Sequence, residues 1–542
     1  MRTTAHRAIA AAAATLAALL LLATSAGAAP LRAELAADVD PGPSASRPSE
    51  LTAFDGQVYF DADDGVHGIE LWRTDPGGGA TMVADIRPGA KGSIPNYLTV
   101  AGPYLYFEAD DGIHGGELWR TDGTAAGTRL VTDAISEGPN GSEPYELFGL
   151  GDVLYFDALG LDGYELWRTD GTAAGTTEVK DIWPGSEHGR PEEITALGGT
   201  LYFRADDGSH GRELWRSDGT AAGTTMVKDI WPGGTEGVPT DLTAFDGKLY
   251  FQAHDPTAGE ELWRSDGTEA GTVLVKDVNP GTASGVAFNL KAFGDRLYFD
   301  ADDGTHGREL WKTDGTAAGT ALVKDINPGT GYSVPEGMTG LDGRLYFRAF
   351  VGTSGAELWR TDGSEAGTTP VDDIRPGPED SNPRDLTEFD GRLFFRAETA
   401  AAGRELWSTD GTTTTLFADL LPGTDSADPQ EFTPLGEYLY FDADDGTHGR
   451  ELWRLAPPPS PPSPPPASPG PGPAAGSGPA AKKLSIRILT RKATVDRKGR
   501  VAVRLACGGD SGGTCKGSVA LATRRKVVAR RNGSKRLVTL GR

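Results

Sequence analysis

A chain of 542 residues with 38% hydrophobic content has room for several domains or one large repeat assembly, and its 75 glycines, about twice the usual share, point to many turns. The formal net charge of −25 is unevenly spread: residues 482–542 hold 18 Lys/Arg against two acids, a net of +16, which leaves about −41 on the remainder. An acidic body of this kind excludes electrostatic attraction to nucleic acid and suits cation binding or plain solubility.

Residues 1–29 read as a secretory signal peptide. Arg2, His6 and Arg7 precede an Ala/Leu run from Ala8 to Ala23, and "SAGAAP" offers an A-x-A cleavage site near Ala28 or Ala29. The expectation is a secreted or cell-surface bacterial protein. No later stretch approaches the roughly 18 apolar residues of a membrane span, so no transmembrane segment is expected.

Residues 30–455 carry a repeat. The tripeptide "ELW" occurs nine times, with Trp at 72, 119, 167, 215, 263, 311, 359, 407 and 453, a spacing of 47, then six times 48, then 46. A fixed period in this range means stacked supersecondary units. Each unit runs "LTAFDG", "LYF", an acidic loop, "ELWRTDGTAAGT" and "VKDIxPG", which reads as four strands, A to D, with no helix. Asp246-Gly247 suits a primed hairpin turn and Pro232-Gly233 a type II turn. Asp170–Thr176 would close the C–D hairpin with its glycines at positive φ. Three consecutive apolar residues in "LYF" imply a strand covered on both faces, as in radially packed sheets. The fold class is therefore all-β, a β-propeller.

The ends of the array set the blade number. "ELAADVDPG" (Glu34–Gly42) matches "ALVKDINPG" (Ala321–Gly329), so a lone D strand opens the array, and "ELWRL" (Glu451–Leu455) closes it on a C strand without a D. Pairing the two closes a ring of nine four-stranded blades and removes exposed edges.

The phrase "ELWRTDGTAAGT" resembles the bacterial ELWxxDGT repeat family over roughly Leu35–Leu455. The resemblance implies an exported repeat protein and no particular activity. Two copies depart from the pattern, "TDPGGGAT" in the first and "TDGTTTT" in the eighth, and their C–D turns are expected to differ in shape.

The repeated Trp is expected in the core, where each ring contributes about 1.5–3 kcal/mol by burial. The Glu of "ELW" is present in all nine copies, with or without the acidic loop, which suggests a structural role such as accepting backbone N–H bonds or pairing with a basic residue of the next blade. An Asp near the end of strand D also recurs nine times, Asp38 to Asp419, close to that Glu in an antiparallel C–D pair. Two such carboxylates call for a Lys, an Arg or a metal ion between them.

Five blades carry the loop D-x-D-D-G-x-H-G-x-E, with its first position varying as Asp, Glu or Arg. Calcium takes six to eight oxygens, and the candidate ligands are Asp61, Asp63, Asp64 and Glu70; Asp110, Asp111 and Glu117; Asp206, Asp207 and Glu213; Asp300, Asp302, Asp303 and Glu309; and Asp442, Asp444, Asp445 and Glu451. The alternative reading is a hairpin tip capped by Asp side chains without metal. The loop histidines His67, His114, His210, His306 and His448 suit turn capping better than zinc, which gathers three or four N/S ligands. Trp183 and Trp231, in two "DIWPG" copies, are candidate ligand-stacking residues. In a four-stranded meander the B–C and D–A loops share one face, here acidic and variable, the default place for a partner.

Residues 456–481 form a Pro/Gly/Ala-rich linker. Residues 482–542 alternate apolar and basic residues and resemble part of an Ig-like or fibronectin-like module, short of a full sandwich. Cys507 and Cys515 are expected to form a disulfide in an exported protein. The tail's positive charge is a candidate contact for a cell wall or another anionic surface. The functional expectation is a non-catalytic propeller binding an extracellular protein or glycan. The alternatives are a propeller enzyme acting on polysaccharide, as a glycoside hydrolase or lyase, and a purely structural spacer.

Overall fold

A computed structural model describes residues 31–136 and 140–458, together with four short strands between 485 and 539. The first body holds nine four-stranded antiparallel sheets, each in the order A-B-C-D, whose A strands begin at Ser49, Asn96, Tyr145, Glu192, Thr240, Phe288, Glu336, Arg384 and Gln430. Blade 1 is typical, with strands Ser49–Phe54, Gln57–Asp63, Ile69–Thr74 and Ala80–Ala84. The A–B hairpin turns as expected: Asp246 and Gly247 both have positive φ, at 46° and 70°, the geometry of a type I′ turn.

The ring closes as the array ends imply. Strand Arg32–Ala37 pairs antiparallel with Arg450–Ala456 and supplies strand D of the ninth blade, with Glu34 opposite Arg454 and Leu35 opposite Trp453. Two charge-assisted bonds from Arg454 to Glu34, at 2.9 and 2.7 Å, reinforce the seam.

The core lies between blades rather than within them. Tyr250, Leu262 and Val275 of blade 5 pack against Leu297, Phe299, Ala301 and Trp311 of blade 6, and the same set recurs at each junction around the ring. "LYF" therefore has no solvent face: Tyr meets the following blade, while Leu and Phe meet the preceding one. Every "ELW" tryptophan is buried or half-buried in this layer.

Adjacent A strands touch all round the ring and enclose its centre. Each carries an irregularity near its start, as between Ser49 and Thr52, and its second residue lies in the left-handed region, from Glu50 at φ 60° to Glu431 at φ 61°. This bulge turns one extra residue of each blade toward the channel.

The "DGTAAGT" turn partly departs from expectation. Gly171 has φ 86° as foreseen, but Gly175 does not have positive φ. Gly175 is there for close approach, because a Cβ on it would lie 2.1 Å from Asp170 Oδ1. The two divergent turns do differ. In the first, Gly79 N–H donates across the seam to Ala36 O at 2.8 Å; in the eighth, Asp410 Oδ1 takes the N–H groups of both Thr412 and Thr413.

The second body shows a sheet of Ser485–Ile488, Val501–Gly508, Val527–Arg531 and Ser534–Thr539, in which the two middle strands run parallel. The signal peptide, most of the linker and the Cys507–Cys515 pairing fall outside the described residues or their side chains.

Candidate functional site

The nine "ELW" glutamates sit under the crossover from one blade to the next. Glu213 accepts the N–H groups of Ile230 at 2.9 Å, Trp231 at 3.2 Å and Gly237 at 3.0 Å. Where the last of these positions is a serine its hydroxyl joins in, as Ser333 Oγ does to Glu309 at 2.6 Å. The carbonyl of the same crossover residue accepts from strand B of the following blade, as His254 N–H to Gly237 O at 2.7 Å. One carboxylate thus fixes the loop that joins two blades. Burial raises all nine above the ordinary carboxyl range, Glu213 to about 7 and Glu165 to about 8, against the opposing pull of the N–H donors.

Among the described residues no Lys or Arg side chain pairs with the strand-D aspartate beside the glutamate. The glutamate takes the N–H groups just beyond Asp, and one Asp oxygen reaches the turn glycine, as Gly329 N–H to Asp325 Oδ2 at 3.4 Å, while Asp325 Oδ1 is buried without a partner among the described residues.

The acidic loops divide their carboxylates among separate tasks. In blade 1, Asp63 Oδ1 accepts Gly65 N–H at 2.8 Å, and Asp64 Oδ1 accepts the N–H groups of Val66 and His67 at 2.9 and 2.8 Å. Asp64 Oδ2 meets His67 Nδ1 at 2.7 Å, and the same Asp–His pair recurs as Asp111–His114, Asp207–His210, Asp303–His306 and Asp445–His448. Asp110, Asp206, Asp302 and Asp444 cap the following glycine as Asp63 does. The first position points elsewhere: Asp61 accepts from Ser49 of strand A, and Asp300 and Asp442 bind Arg308 and Arg450. As placed, the four carboxylates of a loop offer calcium no converging set, and among the described residues no three His, Cys, Asp or Glu stand together as metal ligands.

Trp183 and Trp231 are half-buried between neighbouring blades. Trp183 lies against Gly208 of the next acidic loop, where a Cβ would meet its ring at 2.4 Å, and Trp231 meets His254 edge-on at 4.2 Å.

The position that sequence reading passed over is the channel mouth. The first residue of strand A pairs directly with the residue after "LYF" in strand B: Ser49 with Asp61, Asn96 with Glu108, Tyr145 with Asp157, Glu192 with Arg204, Thr240 with Gln252, Phe288 with Asp300, Glu336 with Arg348, Arg384 with Arg396 and Gln430 with Asp442. Only blades 4 and 7, both Glu–Arg, share a pair, although the surroundings hardly change. The available signal was that variation itself, two columns that vary in an otherwise regular repeat. Arg204 and Glu192 of blade 4 form an ion pair at 2.6 Å, and Arg396 of blade 8 reaches Asp428, just ahead of strand A of blade 9, at 2.7 Å. Below the mouth, the A strands of blades 6 to 9 line a cavity of about 590 Å³ with Asn289, Lys291, Asp385 and Glu431 among its walls.

No protein-family model matches the chain, and no curated protein matches it. Among solved structures it is similar to a computationally designed protein, Ika8, at 15% identity and a TM-score of 0.36, covering 67% of this chain and 96% of that one. It is also similar to a puromycin hydrolase at 16% identity and a TM-score of 0.34, covering 67% of this chain and 60% of that one. A prolyl endopeptidase shows 12% identity and a TM-score of 0.36, with 64% and 52% covered. The chain spans little more than half the length of these two hydrolases, and likeness at this level carries no argument about activity.

Proposed function

We propose that this is an exported, non-catalytic propeller of the ELWxxDGT type, which binds an extracellular protein or glycan through the face formed by its B–C and D–A loops. The observation that supports the reading is the division of labour among its residues. Those that repeat are committed to internal bonds, while the blade-to-blade differences gather at the channel mouth on that face. Catalysis needs an asymmetric acid–base or nucleophile constellation, and the "ELW" glutamates, repeated around the ring, are spent on backbone donors. The basic tail would add contact with an anionic surface.

The test is a glycan array and a pull-down from extracellular material with the full chain. Binding is expected to weaken at least tenfold on charge reversal at the mouth, Arg384→Glu with Arg396→Glu, and to survive Leu416→Ser on the exposed D strand of blade 8. Empty results in both assays, alongside measurable cleavage of a polysaccharide, would overturn the reading in favour of an enzyme.

A further inference from the structure

Blade 3 breaks the pattern of the mouth. Its B–C connection is a tight turn in place of the acidic loop, between strands Val153–Gly160 and Gly163–Thr169. Directly before "ELW" it carries Tyr164, a position held by non-aromatic residues in the other eight blades. Tyr164 meets Tyr145 edge-on at 5.8 Å, and with Tyr97 of blade 2 the two rings line a cleft of about 460 Å³ between blades 2, 3 and 4. Tyr97 is 49% exposed, held there by its left-handed backbone at φ 60°.

The cleft holds more negative charge than its own cation offsets. Glu108 has one hydrogen-bond partner among the described residues, the Asn96 amide at 3.1 Å. Glu143 takes the Tyr164 hydroxyl at 2.5 Å. Glu192 is satisfied by Arg204. Asp157 is fully buried, and neither of its oxygens has a partner within hydrogen-bond geometry among the described residues. It stands opposite Tyr145 in the A–B register, and residues so paired project from the same sheet face, so its carboxyl lies behind that ring, beneath the residues that line the cleft. The cleft's cation, Arg190, is 5.7 Å from the Tyr164 ring centroid, on a ring whose face already suits positive charge.

We propose that this tyrosine-walled, carboxylate-floored cleft binds a primary ammonium group on an alkyl stem, the side chain of a lysine presented by a protein partner. The rings would cover the methylene stem and face the ammonium, Glu108 and Glu143 would accept its N–H bonds, and Asp157 would supply charge from below. The inference rests on the loop face being a binding surface and names the chemistry of one contact on it.

Asp157 is faced by Tyr145, Glu165, Glu192 and Arg190; burial pushes its carboxyl well above the usual range against the pull of the Tyr145 hydroxyl, and the neighbouring acids add to the rise. A bound cation favours its ionised form.

The experiment is calorimetric titration of the full chain with Nα-acetyl-lysine amide, using Nα-acetyl-norleucine amide as the partner of equal stem and no charge. Saturable binding of the lysine compound is expected, with none of the norleucine compound. Glu108→Gln should weaken it at least tenfold, Tyr97→Leu on the exposed rim severalfold, and 0.5 M salt strongly. Equal binding of both compounds, binding of neither, or indifference to Glu108→Gln in a variant that melts like the parent would overturn the inference. If the mouth still captures a partner by the Arg384/Arg396 criterion, this cleft alone is at fault; if nothing binds the face, the broader reading falls.

Discussion

Glu213 shows what a single carboxylate does in this molecule. It holds three backbone N–H groups that have no other acceptor at the crossover between blades 4 and 5. Glu213→Ala would leave them unsatisfied beneath a packed loop, and an expected loss of about 1–3 kcal/mol should appear in chemical denaturation. The same residue sets a pH dependence. Its folded-state pKa is raised to about 7, so the folded chain binds more protons than the unfolded one between about 4.5 and 7. The stabilisation is full below the ordinary carboxyl value and is lost as pH rises through 7. All nine equivalents shift the same way, from Glu70 to Glu451, and the loop histidines, raised by their Asp partners, act in the same sense. The melting temperature should therefore fall from pH 5 to pH 8, with a shallower slope in Glu213→Gln. A profile that rises over this range would contradict the burial argument. The invariance of this Glu across nine copies was readable in the sequence. Its partners were not, because they lie 17 to 24 residues away on a loop whose path only the fold supplies.

At the scale of the element, the C–D turn and the acidic loop are both closed by their own aspartates. In the turn of blade 4, Asp218 Oδ1 accepts the N–H and hydroxyl of Thr220 at 3.0 and 2.7 Å, and Gly223 N–H donates to Thr220 Oγ1 at 3.0 Å. A Cβ on Gly223 would lie 2.0 Å from Asp218 Oδ1. Gly223→Ala is expected to cost roughly 2 kcal/mol through this clash, and less in an Asp218→Ala background, so a double-mutant cycle in urea should give a coupling above about 0.5 kcal/mol. Additive effects would mean the backbone, not the contact, demands glycine. The acidic loop makes the complementary case. Its Asp oxygens are already engaged with turn N–H groups and a histidine, so adding calcium to a demetallated sample, or EDTA to a loaded one, is expected to leave the melting curve unchanged. A rise of several degrees with calcium would show that the loops rearrange around an ion. An Asx-capped tip and an oxygen-rich metal loop draw on the same residues and differ in side-chain direction, which composition does not carry. Strand order and turn type were legible, since alternation, Asp-Gly pairs and Pro-Gly pairs act locally. The channel-mouth cleft was not, since its tyrosines come from two blades and its acids from three.

At the scale of the whole molecule, stability depends on a seam formed by residues more than 400 positions apart. A propeller buries its core between blades, so an open ring would expose the inner layer of its two end blades. That layer includes Leu51, Val58 and Phe60 on one side and Tyr440 and Leu452 on the other. Residues 32–37 prevent this by main-chain pairing, by Glu34 to Arg454, and through Glu451, which takes Val39 N–H at 2.8 Å and Ser46 N–H at 2.9 Å across the same join. The ion pair is partly exposed, so its value lies in two well-aligned charge-assisted bonds. Glu34→Arg should cost about 1.5–3 kcal/mol, with salt recovering part of the loss. Arg454→Glu should cost a similar amount, and the double exchange Glu34→Arg with Arg454→Glu should recover most of it, because the register sets the two side chains directly opposite in either orientation. The readout is the urea midpoint together with hydrogen exchange at the A strands of blades 9 and 1, where opening of the ring would be felt first. If the single reversals leave exchange there unchanged while lowering global stability, the seam is not where the ring opens, and closure by the first strand would be a consequence of the core rather than its lock.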